Sequence, residues 1–116
     1  MPSHPLPPAR RIRRRGEFQH VFEVGRRAHG RYLTIVSAPS TDGASRLGIV
    51  ASRKIGGAVV RNRAKRLIRE VFRTGNGPAV PSDLVVIAKA AVTTAKVDGV
   101  RSDFQMTLKR LGLSKS

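Results

Sequence analysis

The apolar positions of this 116-residue chain change period along its length, and each change predicts an element. Phe18, Val21 and Phe22 fall at i, i+3 and i+4, which predicts a short helix over residues 16–24 with Gly25 as its stop. Residues 31–38 (R-Y-L-T-I-V-S-A) are rich in β-branched side chains and predict a strand. A polar turn containing Asp42-Gly43 follows, and residues 46–52 (R-L-G-I-V-A-S) predict a returning strand, so the pair reads as a hairpin. Gly48 inside that second strand marks a bulge or a close approach. Val60, Ala64, Leu67, Ile68 and Val71 then recur at i, i+4, i+7, i+8 and i+11, one face of a longer helix. A break over residues 74–78 separates it from residues 83–91 (D-L-V-V-I-A-K-A-A), a continuous apolar run expected of a strand covered on both faces. Val100, Phe104, Leu108 and Leu111 stripe a last helix over residues 98–111, with Asp98 as N-cap and Gly112 as stop.

The predicted order is α-β-β-α-β-α. The strand after the longer helix joins the hairpin in one sheet, giving an α+β fold, a small two-layer sandwich on a sheet of three or four strands. The length suits one domain. Residues 1–9 (M-P-S-H-P-L-P-P-A) read as a proline-rich extended or disordered tail, residues 10–113 as the domain and residues 114–116 as a polar tail.

Charge changes the picture. Lys and Arg number 23 against 7 Asp and Glu, a net charge of +16 whose self-repulsion needs a reason. A nucleic acid is the first-choice partner and a membrane surface the weaker alternative. Residues 53–73 carry eight basic side chains and one acid, Glu70. At roughly 100° per residue, Arg61, Lys65, Arg69, Asn62, Arg73 and Arg66 fan across the face opposite the apolar stripe, with Asn62 near its middle. One face is suited to docking on a core and the other to meeting a polyanion. Arg10 to Arg15 hold five arginines around Ile12, either a solvated run or a flexible arm that orders on RNA. Phe18 and Phe22 either fill the core or line a groove in which single-stranded bases stack. Gly56-Gly57, before the basic helix, matches no nucleotide-binding loop and would let an RNA backbone approach.

Other chemistries find little support. The chain has no cysteine, which removes disulfides, thiolate metal sites and thiol nucleophiles and fits a reducing compartment. No apolar run has the length of a membrane span, and the N-terminus lacks the apolar stretch of a signal peptide, so a soluble cytoplasmic protein is expected. His4, His20 and His29 share no ligand spacing, the acids are scattered, and no serine, histidine and acid are marked as a set. Independent catalysis is therefore disfavoured, and neither a small-molecule substrate nor a membrane partner is expected.

The string K-I-G-G-A-V-V-R-N-R-A-K-R-L-I-R-E-V-F closely resembles the signature of the bacterial ribonuclease P protein component. R-R-I-R-R-R-G-E-F-Q-H-V-F-E-V-G resembles that family's N-terminal arm and first helix, and L-G-I-V-A-S-R-K and D-L-V-V-I-A-K match in order and spacing. The likeness spans about residues 11–111. It implies a ribosomal-protein-like domain with a left-handed βαβ crossover, an exception to the usual hand. It also implies the small partner of a catalytic RNA, in a holoenzyme that removes the 5′ leader of precursor tRNA by Mg²⁺-assisted hydrolysis. The catalysis and most of the metal binding then belong to the RNA. Carried over by position, Arg11, Arg13, Arg14, Arg53, Lys54, Arg61, Asn62, Arg63, Lys65, Arg66, Arg69 and Arg73 would bind RNA. Phe18, Phe22, Val36 and Lys89 would line a leader cleft, and Asn62 could contact a hydrated ion. The alternatives are a structural RNA-binding protein, such as a ribosomal protein, and a self-sufficient nuclease.

Overall fold

The computed structural model describes residues 10–75 and 77–114. The proline-rich segment 1–9 with His4, Asn76, and residues 115–116 of the expected tail lie outside the described residues. The elements are α1 (Arg15–Val24), β1 (Arg26–His29), β2 (Leu33–Pro39), β3 (Arg46–Val50), α2 (Ala58–Thr74), β4 (Ser82–Ala88) and α3 (Val97–Arg110), with short 3₁₀ turns at Arg53–Ile55 and Ala90–Thr94.

The four strands form one sheet in the order β1-β2-β4-β3. β2 pairs antiparallel with both β1 and β4, and β3 pairs parallel with β4. The expected hairpin is therefore corrected: β4 inserts between β2 and β3, which share no ladder. The local turn is still present, since the Asp42 carboxylate accepts the Ala44 N–H at 3.1 Å and Gly43 has a φ of +83°. Turn chemistry reports a change of direction, whereas strand neighbours follow from burial. β4 is the most apolar strand and takes the central place, covered on both faces as its composition predicts.

Strand alternation divides the interior in two. Leu33 and Ile35 of β2, Leu47 of β3, and Leu84, Val86 and Ala88 of β4 face α2 and α3 in the larger core. Val36, Ala38 and Val85 face the other way, beneath Val21 of α1 and Ile12. α2 turns Ala64, Ile68, Val71 and Phe72 inward, and the Phe72 ring meets Phe104 of α3 edge to face at 6.5 Å. Helix α3 ends as Gly112 predicts: with φ at +73° it donates to Lys109 O at 3.0 Å, and Leu113 N–H donates to Leu108 O at 2.9 Å. At its other end Lys96 is the N-cap, and Asp98 sits in the first turn, paired with Arg101 at 3.2 Å.

Two glycines are explained by close approach. A Cβ on Gly48 would lie 2.7 Å from the Phe18 ring and 3.0 Å from Ile12 Cβ, while the β3–β4 register runs through without a bulge. A Cβ on Gly25 would lie 2.3 Å from Val21 O and 2.8 Å from Val36. Gly25 thus lets the end of α1 press onto β2, and with φ at −77° it is no left-handed stop. Strand β1, R-R-A-H, has no counterpart in the sequence reading because only Ala28 of its four residues is buried.

Candidate nucleic-acid interface

Helix α1 is held on the sheet by a charged hub. The Arg46 guanidinium donates to both Asp83 carboxylate oxygens, at 3.0 and 2.9 Å, and to Glu17 at 2.7 Å. The other Glu17 oxygen accepts the backbone N–H groups of Arg13 and Arg14 at 3.3 and 3.1 Å, at the start of α1. The Arg46 bond, followed by these N–H groups, lowers the Glu17 pKa to about 2. Bonds to Asp83 and Glu17 raise that of Arg46. One arginine therefore ties α1 to β3 and β4, and with it the arm that precedes the helix.

The arm is not loose where it meets the sheet. Arg11 bridges to Leu47 in parallel, Ile12 N–H donates to Leu47 O at 2.9 Å, and the Ile12 side chain is buried. Arg10 Nε donates to Ser45 O at 2.8 Å, and its guanidinium lies 5.4 Å from the centre of the Phe72 ring. The free arm considered above is thus corrected for Arg10 to Ile12, because burial of Ile12 anchors this stretch. Arg13, Arg14 and Arg15 remain exposed.

Docking the arm beside α2 creates a groove of about 140 Å³ lined by Arg11, Ile12, Arg13, Phe18, Leu47, Ile49, Lys65 and Arg69. Four of the eight lining residues are cations and none is an acid. Burial, and then the neighbouring charge of Arg11, push the Arg69 pKa below its ordinary value. The Nε atoms of Arg11 and Arg61 are buried without an acceptor among the described residues. A desolvated donor left unpaired costs about 1–3 kcal/mol, so an anion entering beside these groups would be stabilised. Backbone phosphates carry that chemistry.

The rest of α2 divides by its neighbours. Arg61, Lys65 and Arg69 are half-buried on the flank toward the groove, while Asn62 and Arg66 are exposed. Arg63 donates to Thr93 O at 3.0 Å, and Arg73 pairs with Glu70 at 2.8 Å. Arg53 and Lys54 stand exposed on the 3₁₀ turn leading into α2. Gly56 between them and the helix has a φ of +147°, and a Cβ there would lie 2.9 Å from Val60, so this tight entry requires glycine. Among the described residues no group of three His, Asp or Glu side chains is placed to hold a metal ion.

A second surface lies on the α1 side of the sheet. Phe18 and Phe22 of α1 and Val50 and Ile87 of the sheet are only partly buried there, above Val21, Val36 and Val85. The phenylalanines pack on the small core, as the first reading expects, and keep exposed ring area. Val36 does not reach the surface. It is fully buried beneath α1, and as a lining residue it is corrected. Lys89 is half-buried and spends its Nζ on Gly30 O at 2.5 Å, bracing the β1–β2 turn. That turn is also clamped by buried Asp103, whose two oxygens accept the N–H groups of Arg31 and Tyr32 at 2.8 Å each. Arg27 of β1, absent from the expected set, places its guanidinium 5.6 Å from the centre of the Phe22 ring. Period-two alternation after Gly25 would have put Arg27 and His29 on one face, the available signal for it.

Known proteins share the sequence pattern and the fold of this chain. The ribonuclease P family model matches residues 6–112. The ribonuclease P protein component of Syntrophomonas wolfei is 36% identical over 104 residues, covering 89% of this chain and 87% of that one. The RNase P protein structure from Staphylococcus aureus superposes with a TM-score of 0.80 at 28% identity, covering 90% of this chain and 96% of that one. The RNase P protein from Thermotoga maritima gives a TM-score of 0.77 at 33% identity, covering 86% and 96%.

Proposed function

The chain belongs to the bacterial ribonuclease P protein family, and from that membership we propose how it serves as the protein subunit of the holoenzyme. Its partners are the catalytic RNA and precursor tRNA, and its work is to bring two polyanions together. Arg11, Arg13, Lys65 and Arg69 in the groove, with Arg53, Lys54, Arg61, Asn62 and Arg66 around it, face the catalytic RNA. Phe18 and Phe22 receive the unpaired 5′ leader on the neighbouring surface. Arg63 and Arg73 add charge nearby while bonded to Thr93 and Glu70.

The observation that carries this reading is the acid-free groove beside α1, with the unpaired buried Nε of Arg11 in its lining and that of Arg61 on the same helix as Lys65 and Arg69. Cations held there weaken the repulsion between leader and catalytic RNA, and the surface geometry fixes the path of the leader. The RNA supplies the reaction centre, where Mg²⁺-assisted hydrolysis of one phosphodiester leaves a 5′-phosphate on the tRNA. Most of the metal binding falls to the RNA in this reading, and the exposed Asn62 amide is available to a hydrated ion on the RNA. No described helix is long and apolar enough to cross a membrane.

Reconstitution tests this directly. The purified chain is mixed with its cognate catalytic RNA and a precursor tRNA at low Mg²⁺, and leader removal is followed. Cleavage is expected to need the RNA and to be stimulated by the protein. Cleavage by the protein alone would make it a nuclease in its own right, and absence of stimulation would point to a purely structural RNA-binding role.

A further inference from the structure

Arg27 occupies a place on the leader surface that its neighbours leave open. It pairs across β1–β2 with Val36, and Val36 pairs in turn with Val85, which pairs with Gly48. These four residues therefore leave the sheet on the same face, the one beneath α1. Val36 and Val85 are fully buried, and Gly48 has no side chain. Only Arg27 of this row can contact a strand lying on the surface. The next row, His29, Thr34, Ile87 and Val50, is already internally satisfied at its polar end, where His29 Nδ1 and Thr34 Oγ1 lie 3.0 Å apart.

The Arg27 side chain is exposed, and its guanidinium lies over the Phe22 ring. Among the described residues it has no hydrogen-bond or ion-pair partner. A guanidinium resting on an aromatic ring keeps its N–H fork free at the edge and holds it in a restricted orientation. Two parallel N–H donors match the O6 and N7 acceptors of guanine better than any pattern offered by the other bases. In an unpaired leader this edge of the base is accessible. A phosphate would also accept such a fork, but Arg27 lies outside the acid-free groove and against the partly exposed Phe22 ring, a setting that favours a base.

We infer that Arg27, held against Phe22, is a specificity-determining residue that selects guanine at one position of the 5′ leader. The inference rests on the leader lying over α1, as proposed above. Mechanistically, Phe22 orients the fork and Arg27 reads the base.

The test uses the reconstituted holoenzyme and a set of precursor tRNAs in which each leader nucleotide is varied in turn, with mature tRNA as reference. Wild-type holoenzyme is expected to bind one guanine-bearing leader about tenfold more tightly than its variants, within the range of a bidentate arginine–guanine contact. Arg27→Ala should abolish that preference, and Arg27→Lys, which keeps the charge without the fork, should abolish it too. A guanine preference that survives Arg27→Ala, or a uniform loss across all leaders, overturns the assignment, the second outcome identifying a phosphate contact. Wild-type holoenzyme that binds precursor and mature tRNA equally overturns the leader-surface reading itself.

Discussion

Arg46 shows how one side chain sets the geometry of this interface. It neutralises Asp83, which is 2% exposed, and at the same time holds Glu17 at the start of α1. Removing the arginine would leave a buried carboxylate uncompensated, so Arg46→Ala should cost about 3–5 kcal/mol in urea unfolding. Glu17→Gln removes a partner on the wetter side of the hub and should cost about 1 kcal/mol, since solvent screens that pair. The pH dependence has a definite sign. Glu17 has its pKa lowered from 4.5 to about 2 in the folded protein, so it contributes stability that is complete above its unfolded value. That contribution should disappear as the pH falls from about 5 toward 2, and Glu17→Gln should flatten this part of the stability profile. A variant as acid-sensitive as the wild type would remove Glu17 from the account. Sequence alone marks neither partner, because Arg46 and Asp83 are 37 positions apart and meet only when β3 lies parallel to β4.

Among the elements, α1 links stability to function. Phe18 reaches both the groove and the partly exposed surface proposed for the leader, and it packs where Gly48 leaves no Cβ. Phe18→Ala should weaken holoenzyme binding to leader-bearing tRNA by about 1–3 kcal/mol, the worth of a stacked base, and leave mature tRNA binding nearly unchanged. Equal losses on both substrates would restrict Phe18 to packing. The helical elements were legible because an amphipathic stripe is local: Val21 in α1, Ala64, Ile68 and Val71 in α2, and Val100, Phe104 and Leu108 in α3 all declare their inward face. Strand β1 was not, because an edge strand of three polar residues and one alanine has no apolar alternation. Its ladder with β2 comes from antiparallel continuity across the turn that Asp103 and Lys89 hold.

For the whole molecule, the charge of +16 includes four cations gathered in a groove beside α2 and the exposed Arg27 on the α1 face of the sheet. Affinity of the holoenzyme for leader-bearing tRNA should therefore fall with salt, with a log–log slope of about −0.7 for each leader phosphate contacted. A slope equal to that of mature tRNA would mean that the leader adds no electrostatic contact. The polyanion-binding character of this chain, the two-faced α2 and the apolar central β4 are set by the sequence itself, since composition and local periodicity depend on neighbours within a few turns. The R-N-R motif and its flanks placed the chain in its family for the same reason. Tertiary structure alone decided that β4 separates β2 from β3, that Ile12 anchors the arm, that Val36 is hidden and that Arg27 takes the exposed place beside Phe22. Each of these depends on which distant segments share a face, and that is determined by competition for burial across the entire chain.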